Sequence, residues 1–201
     1  MADPIDFYFD FGSPYGYLAS LRIDDVAAKH GRHVAWRPML LGAVFKNEGT
    51  QPLSEYPMKG PYFKRDCFRT ARRLGVPFVF PEKFPPNTIT AQRAYYWLQG
   101  SDAEKAKSFA RGIYHAYFGE EQDVTQAEVV AEIAGSTAGV DPEDVLAAVQ
   151  DQAVKDKLRD ATEQAIAKGV FGSPFFIVDG ESFWGNDRLD EVDAWLASGG
   201  W

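Results

Sequence analysis

The sequence predicts an α/β fold in which a β-α-β half and a β-β-α half are separated by a large all-helical insertion. Three observations carry this reading. Residues 5–11 alternate strictly, with Ile5, Phe7, Phe9 and Phe11 on one side, the period of a half-buried strand. From about Tyr62 to Lys168 apolar residues recur at helical spacing, interrupted by Gly and Pro. The β pattern then returns at Phe175-Phe176-Ile177-Val178, followed by Asp179-Gly180, a type I′ hairpin signal.

Each element has its own signals. After the first strand, Ser13 is a suitable N-cap and Pro14 a suitable first helical residue. Leu18, Leu21, Ile23, Val26 and Ala27 continue one helical face to a stop near Gly31. Val34-Ala35-Trp36-Arg37-Pro38 reads as a second strand ended by proline. From Leu40 to about Gly60, Gly and Pro punctuation predicts a loop. Helices are predicted over 62–74, 88–99, 103–117, 126–134, 142–149 and 151–168, with Gly169 as the stop. Glu181-Ser182-Phe183-Trp184 completes the hairpin, and Asn186 caps a last helix over 187–196. The expected division is 1–40 with 169–201 for the α/β part and 41–168 for the helical insertion.

Composition narrows the function. With 45% apolar and 25% charged residues the chain is globular, and its formal net charge of −8 argues against nucleic acid as a partner. The single cysteine, Cys67, forms no intramolecular disulfide and reads as structural. The start, MADPIDFYFDFG, lacks a basic n-region, and no apolar run approaches membrane-spanning length. A cytoplasmic protein without a membrane partner is expected. His30, His33 and His115 are too scattered for a metal site, so none is expected. Tyr95-Tyr96-Trp97 reads as core or dimer surface.

The chemistry gathers at two Ser-Pro pairs. Ser13-Pro14-Tyr15-Gly16 would become Cys-Pro-Tyr-Cys, a thioredoxin-type redox motif, with cysteine at 13 and 16. Here both thiols are missing. The order β-α-β then β-β-α is that of thioredoxin, in which the second pair, Ser173-Pro174, falls where a cis-proline precedes the third strand. The bland reading of Ser13, a helix cap, stands beside the chemical one.

Five segments carry a resemblance to a known family: F-D-F-G-S-P-Y at 9–15, W-R-P-M-L-L-G-A-V-F-K at 36–46, P-P-N-T at 85–88, G-V-F-G-S-P-F-F at 169–176 and F-W-G-N-D-R-L at 183–189. On these the chain resembles 2-hydroxychromene-2-carboxylate isomerases and kappa-class glutathione transferases, the DsbA-like branch of the thioredoxin superfamily. The resemblance implies glutathione as the thiol cofactor, a homodimer, and interconversion of 2-hydroxychromene-2-carboxylate and trans-o-hydroxybenzylidenepyruvate in aromatic catabolism. It implies that the Ser13 hydroxyl donates to the glutathione sulfur and favours the thiolate. Ser173 and Pro174 would hold the glutathione cysteine, while Trp184, Asn186 and Asp187 would receive its γ-glutamyl end. Lys59 is a further candidate for a glutathione carboxylate. Lys46 and Asn87 match positions near the second substrate, a small aromatic keto acid or other electrophile. Read without the resemblance, Lys46 is a solvated charge, and Asn87 and Asn186 are caps. Gly49-Thr50-Gln51-Pro52-Leu53 stands where the family commonly reads Gly-Asn-x-Pro-Pro. Two alternatives stay open: a kappa-like transferase for other electrophiles, and a glutathione-binding protein without turnover.

Overall fold

The computed structural model describes residues 3–201. Its sheet contains β1 (Ile5–Phe9), β2 (Val34–Pro38), β3 (Phe175–Val178) and β4 (Glu181–Trp184), in the order β2-β1-β3-β4. β1 runs parallel to β2 and antiparallel to β3, and β3 pairs antiparallel with β4. This is the thioredoxin-like arrangement with a helical insertion between its halves.

The alternation of β1 sorts its side chains as the period of two requires. Phe7 lies between Trp36 and Phe176, at ring-centroid distances of 5.1 and 5.4 Å, in the main buried cluster. Tyr8 points to the other face, with Met39, Val44 and Phe175. Asp179 and Gly180 both have positive φ, 53° and 89°, as the type I′ turn between β3 and β4 demands.

The segment after β1 is two helices rather than one: α1 (Pro14–Ser20) and α2 (Ile23–Lys29). The break is a tight turn in which Arg22 N donates to Ala19 O. The stretch expected to be loop holds α3 (Leu41–Glu48) and a short 3₁₀ turn at Leu53–Glu55. Leu41, Val44 and Phe45 have the spacing of one helical face, and Val44 is buried.

The remaining helices are α4 (Lys59–Leu74), α5 (Ile89–Ser101), α6 (Ala103–Glu120), α7 (Ala127–Ala138), α8 (Pro142–Ala148), α9 (Gln152–Ala167) and α10 (Leu189–Ser198). Asp102, Asp141 and Asp151 each cap the helix that follows them, through their carboxylates. One buried cluster runs from Phe7 and Phe9 through Tyr114 and Phe118 of α6 to Ala131 of α7. Asn186 does not cap the last helix. It opens a 3₁₀ turn, Asn186–Arg188, with no side-chain cap bond, and α10 begins at Leu189. Among the described residues no helix is long and apolar enough to cross a membrane.

Candidate functional site

β1 and β3 are neighbours, so the two Ser-Pro pairs meet at one end of the sheet. Ser13 caps α1: its Oγ accepts from Gly16 N at 3.0 Å. The same hydroxyl donates to the carbonyl oxygen of Ser173 at 2.9 Å. The Ser173–Pro174 peptide is cis, as expected, and a second cis bond joins Phe84 to Pro85. Pro174 O accepts from Gly185 N at 3.1 Å, which ties the 173–174 segment to the turn carrying Asn186 and Asp187.

Ser13, Pro174 and Asn186 are buried, and Ser173 is half-buried. Trp184 is 52% exposed and packs edge-to-face on Phe171 at 4.9 Å. Its indole lies so close over Gly172 that a Cβ there would stand 2.2 Å from Nε1. Asn186 Oδ1 is buried without a hydrogen-bond partner. Asp187 is exposed, and Arg188, at 4.0 Å, is the cation beside it.

The expected substrate-side residues, Lys46 and Asn87, and the glutathione-carboxylate candidate Lys59 are carried by other elements. Lys46 is exposed in the last turn of α3 and Asn87 lies just before α5, its Oδ1 accepting from Ile89 N at 3.1 Å. Lys59 starts α4 with its Nζ 4.6 Å from the centre of the Tyr56 ring. No hydrogen bond among the described residues joins Lys46, Asn87 or Lys59 to Ser13 or Ser173.

Gly16, at the position of the second thiol in the redox motif, has no space for a side chain. A Cβ there would stand 2.5 Å from Tyr114 Oη and 3.1 Å from Ser173 Oγ. Tyr114 is held by a bond from its hydroxyl to Asp10 O at 3.0 Å. Burial first, and the Asp10 charge second, push this phenol well above the ordinary tyrosine range. It stays a neutral donor at neutral pH. Cys67 is buried, and burial followed by the Asp66 charge pushes its thiol up to about 12. At neutral pH it carries almost no thiolate, so it is no nucleophile.

Asp10 was not among the expected site residues. It follows β1 and, in the alternation, falls on the polar side. Its carboxylate is nonetheless buried. Oδ1 accepts from Gly12 N (2.7 Å) and Thr88 Oγ1 (2.9 Å), while Oδ2 accepts from Leu41 N and Gln92 Nε2 (both 2.9 Å). Burial pushes its pKa up, and these four bonds draw it partly back. Its main chain bonds both Ser-Pro segments: Asp10 N donates to Ser173 Oγ at 3.1 Å, and Asp10 O accepts from Ser13 N at 2.9 Å. Residues 41, 88 and 92 are remote in sequence, so no local motif announces this convergence.

Two further cavities lie elsewhere. One of about 330 Å³ is lined by Tyr8, Arg37, Tyr96 and Lys157, and one of about 260 Å³ by Leu40, Ile89, Arg93 and Leu158; neither includes Ser13. No group of three His, Cys, Asp or Glu among the described residues is placed to hold a metal ion.

Comparisons with known proteins agree with this geometry. The family model described as a DSBA-like thioredoxin domain matches residues 4–197. A 2-hydroxychromene-2-carboxylate isomerase of Sphingobium xenophagum is 32% identical over 201 residues, covering 98% of this chain and 99% of the relative. A glutathione S-transferase kappa 2 of Caenorhabditis elegans is 26% identical over 205 residues, covering 96% and 91%. A solved structure of a 2-hydroxychromene-2-carboxylate isomerase superposes with a TM-score of 0.88 at 26% identity, covering 98% of this chain and 95% of that one.

Proposed function

The chain belongs to the DSBA-like thioredoxin domain family, in its branch of 2-hydroxychromene-2-carboxylate isomerases and kappa-class glutathione transferases, and we propose that it is a glutathione-dependent isomerase of conjugated aromatic keto acids. The observation that carries this reading is a thioredoxin-type site with a serine at the first thiol position and no room for a second thiol at Gly16. Such a site cannot make its own disulfide. It suits a thiol brought in by a small molecule and released unchanged.

The residues present fit glutathione. Asn186 Oδ1 is a buried acceptor lacking a donor, as an α-ammonium group would supply, and the exposed Asp187 carboxylate beside it adds charge complementarity. When bound, glutathione would supply a thiolate nucleophile suited to reversible addition to a conjugated acid. The protein's part is to favour that anion and to orient the reactants. Ser13 does the first. Turning its O–H bond from Ser173 O toward the sulfur moves only the hydrogen, so the oxygen keeps its bond from Gly16 N. Ser173 and Pro174 would seat the cysteinyl part, and Trp184 would flank the γ-glutamyl end with Asn186 and Asp187. Lys59 would meet a glutathione carboxylate. Lys46 would hold the carboxylate of the acid, and Asn87 its carbonyl or hydroxyl. The proposal includes a homodimer and a cytoplasmic location.

The Caenorhabditis relative favours one second reading, conjugation of glutathione to other electrophiles. One assay separates the two. The protein is incubated with glutathione and 2-hydroxychromene-2-carboxylate, and both acid and free thiol are followed. Isomerisation with the thiol undiminished supports the proposal. Consumption of thiol into a conjugate supports the transferase, and no change in either overturns both.

A further inference from the structure

We propose that Asp10 is a positioning residue that holds the glutathione side and the second-substrate side of the site in register, acting as an acidic cap of α3 that also gathers two side chains at the start of α5. The identity of the two sides rests on the function proposed above; the clamp itself rests on geometry.

The N-terminus of α3 lacks a cap of its own, whereas the first N–H of α5, Ile89 N, is capped locally by Asn87 Oδ1. Leu40, the N-cap of α3, has no capping side chain, and Thr88, the N-cap of α5, makes no side-chain cap bond to its own helix. The first N–H groups of a helix have no partner within it and need an acceptor. Leu41 N, the first N–H of α3, finds that acceptor in Asp10 Oδ2 at 2.9 Å. At the start of α5, Thr88 Oγ1 and Gln92 Nε2 turn to the same carboxylate, each at 2.9 Å. The anion therefore sits where the dipoles of both helices favour negative charge. The fourth donor, Gly12 N at 2.7 Å, belongs to the turn that leads into Ser13.

The four donors are all uncharged, and each oxygen takes two of them. This matches a carboxylate, which only accepts. Placing an anion there rather than an amide has a definite effect: an asparagine would turn its NH₂ toward two of the donors. α3 carries Lys46 in its last turn, and Asn87 immediately precedes Thr88. Asp10 thus sets where those two residues stand relative to Ser13, although it touches neither.

The test uses Asp10→Asn, Leu41→Pro and Lys46→Met in the full-length protein. Leu41→Pro removes the N–H that Asp10 accepts while keeping a residue favoured at a first helical position. In Asp10→Asn, amide exchange in residues 41–48 should accelerate at least tenfold while that in α10 is unchanged. In Leu41→Pro the acceleration should be confined to the first turn of α3. With trans-o-hydroxybenzylidenepyruvate as the probe, Asp10→Asn should raise KM about tenfold, while the glutathione Kd by calorimetry changes less than threefold. Asp10→Asn combined with Lys46→Met should be no worse than the poorer single variant, because both act through α3. Leu41→Pro should shift KM in the same direction by about threefold, and it carries the test if Asp10→Asn does not fold. Unchanged exchange in α3 overturns the clamp. Additive effects on KM, or a loss of glutathione affinity as large as the rise in KM, overturn the positioning role. A wild-type protein inactive on the probe would count against the proposed function alone, since the exchange measurement still decides the clamp.

Discussion

The hydroxyl of Tyr114 occupies the place where a side chain on Gly16 would begin, 2.5 Å from the position of its Cβ. Tyr114 cannot easily retreat. Its ring packs against Phe9, Phe11, Tyr17 and Phe118, and its hydroxyl is bonded to Asp10 O. The absence of a second thiol in this frame therefore has a steric basis as well as a chemical one.

Gly16→Ala should accordingly destabilise the protein by about 1–3 kcal/mol, the usual range for overpacking. Tyr114→Phe removes the oxygen responsible, so the double variant should recover part of that loss. Urea unfolding of the four proteins of the cycle gives the coupling directly. A Gly16→Ala protein as stable as wild type would show that the 2.5 Å approach relaxes without penalty. Ser13→Cys with Gly16→Cys should likewise fail to close an internal disulfide until Tyr114 is also shortened, as titration of free thiols would reveal.

Asp10 supplies a pH dependence whose sign follows from its raised pKa. Above the ordinary carboxylate range the unfolded chain has lost its proton, while the folded protein still holds it. In that window the folded state binds more protons, so the contribution of Asp10 to stability falls as pH rises, and it levels off above the folded pKa. Asparagine does not titrate. The stability of Asp10→Asn relative to wild type should therefore rise with pH through this window and then stay constant. Chemical denaturation of both proteins at several pH values would check this. The opposite slope would mean that the four hydrogen bonds outweigh burial and depress the pKa.

Asn186 offers a separation of stability from binding. Its Oδ1 is already buried without a partner, so an apolar replacement of similar size removes an unsatisfied group rather than a bond. Asn186→Leu should change the unfolding free energy by less than about 1 kcal/mol, within the range of ordinary substitutions. Glutathione affinity, measured by calorimetry, should fall by roughly tenfold, the scale of one lost charge-assisted hydrogen bond. A large loss of stability with unchanged affinity would make Asn186 a structural residue.

What could be read from the sequence was what local pattern encodes. β1 and the β3–β4 hairpin were legible because alternation and Asp179-Gly180 are local signals, and both Ser-Pro pairs fell where strand order placed them. α3 was not, because Gly42, Gly49 and Pro52 read as loop and its cap, Asp10, lies 31 residues away. Asn186 misled for the opposite reason. Its residue type signals a cap, whereas its side chain is buried under a 3₁₀ turn. The acceptor of the Ser13 proton, Ser173 O, is 160 residues distant and belongs to the main chain, so no side-chain motif marks it.

That last bond sets the sharpest prediction. Ser13 Oγ gives its only hydrogen to Ser173 O and takes one from Gly16 N. Ser13→Ala removes both bonds. Losing the cap should destabilise the protein by about 1 kcal/mol. Much of the glutathione affinity should survive, since its other proposed contacts lie on Ser173, Asn186 and Asp187. The turnover number should fall by roughly 10²-fold or more, the effect of losing one preorganised donor to a developing anion. The pKa of the bound thiol, followed by thiolate absorbance, should rise toward the value near 8.5 of an ordinary cysteine thiol. Ser13→Cys should behave differently again. Its thiolate attacks oxidised glutathione, forming a mixed disulfide and releasing one reduced glutathione, a product that mass spectrometry would identify. If Ser13→Ala lowers stability while leaving turnover and the bound thiol pKa as they were, Ser13 serves only as the cap of α1 and as a tie to Ser173.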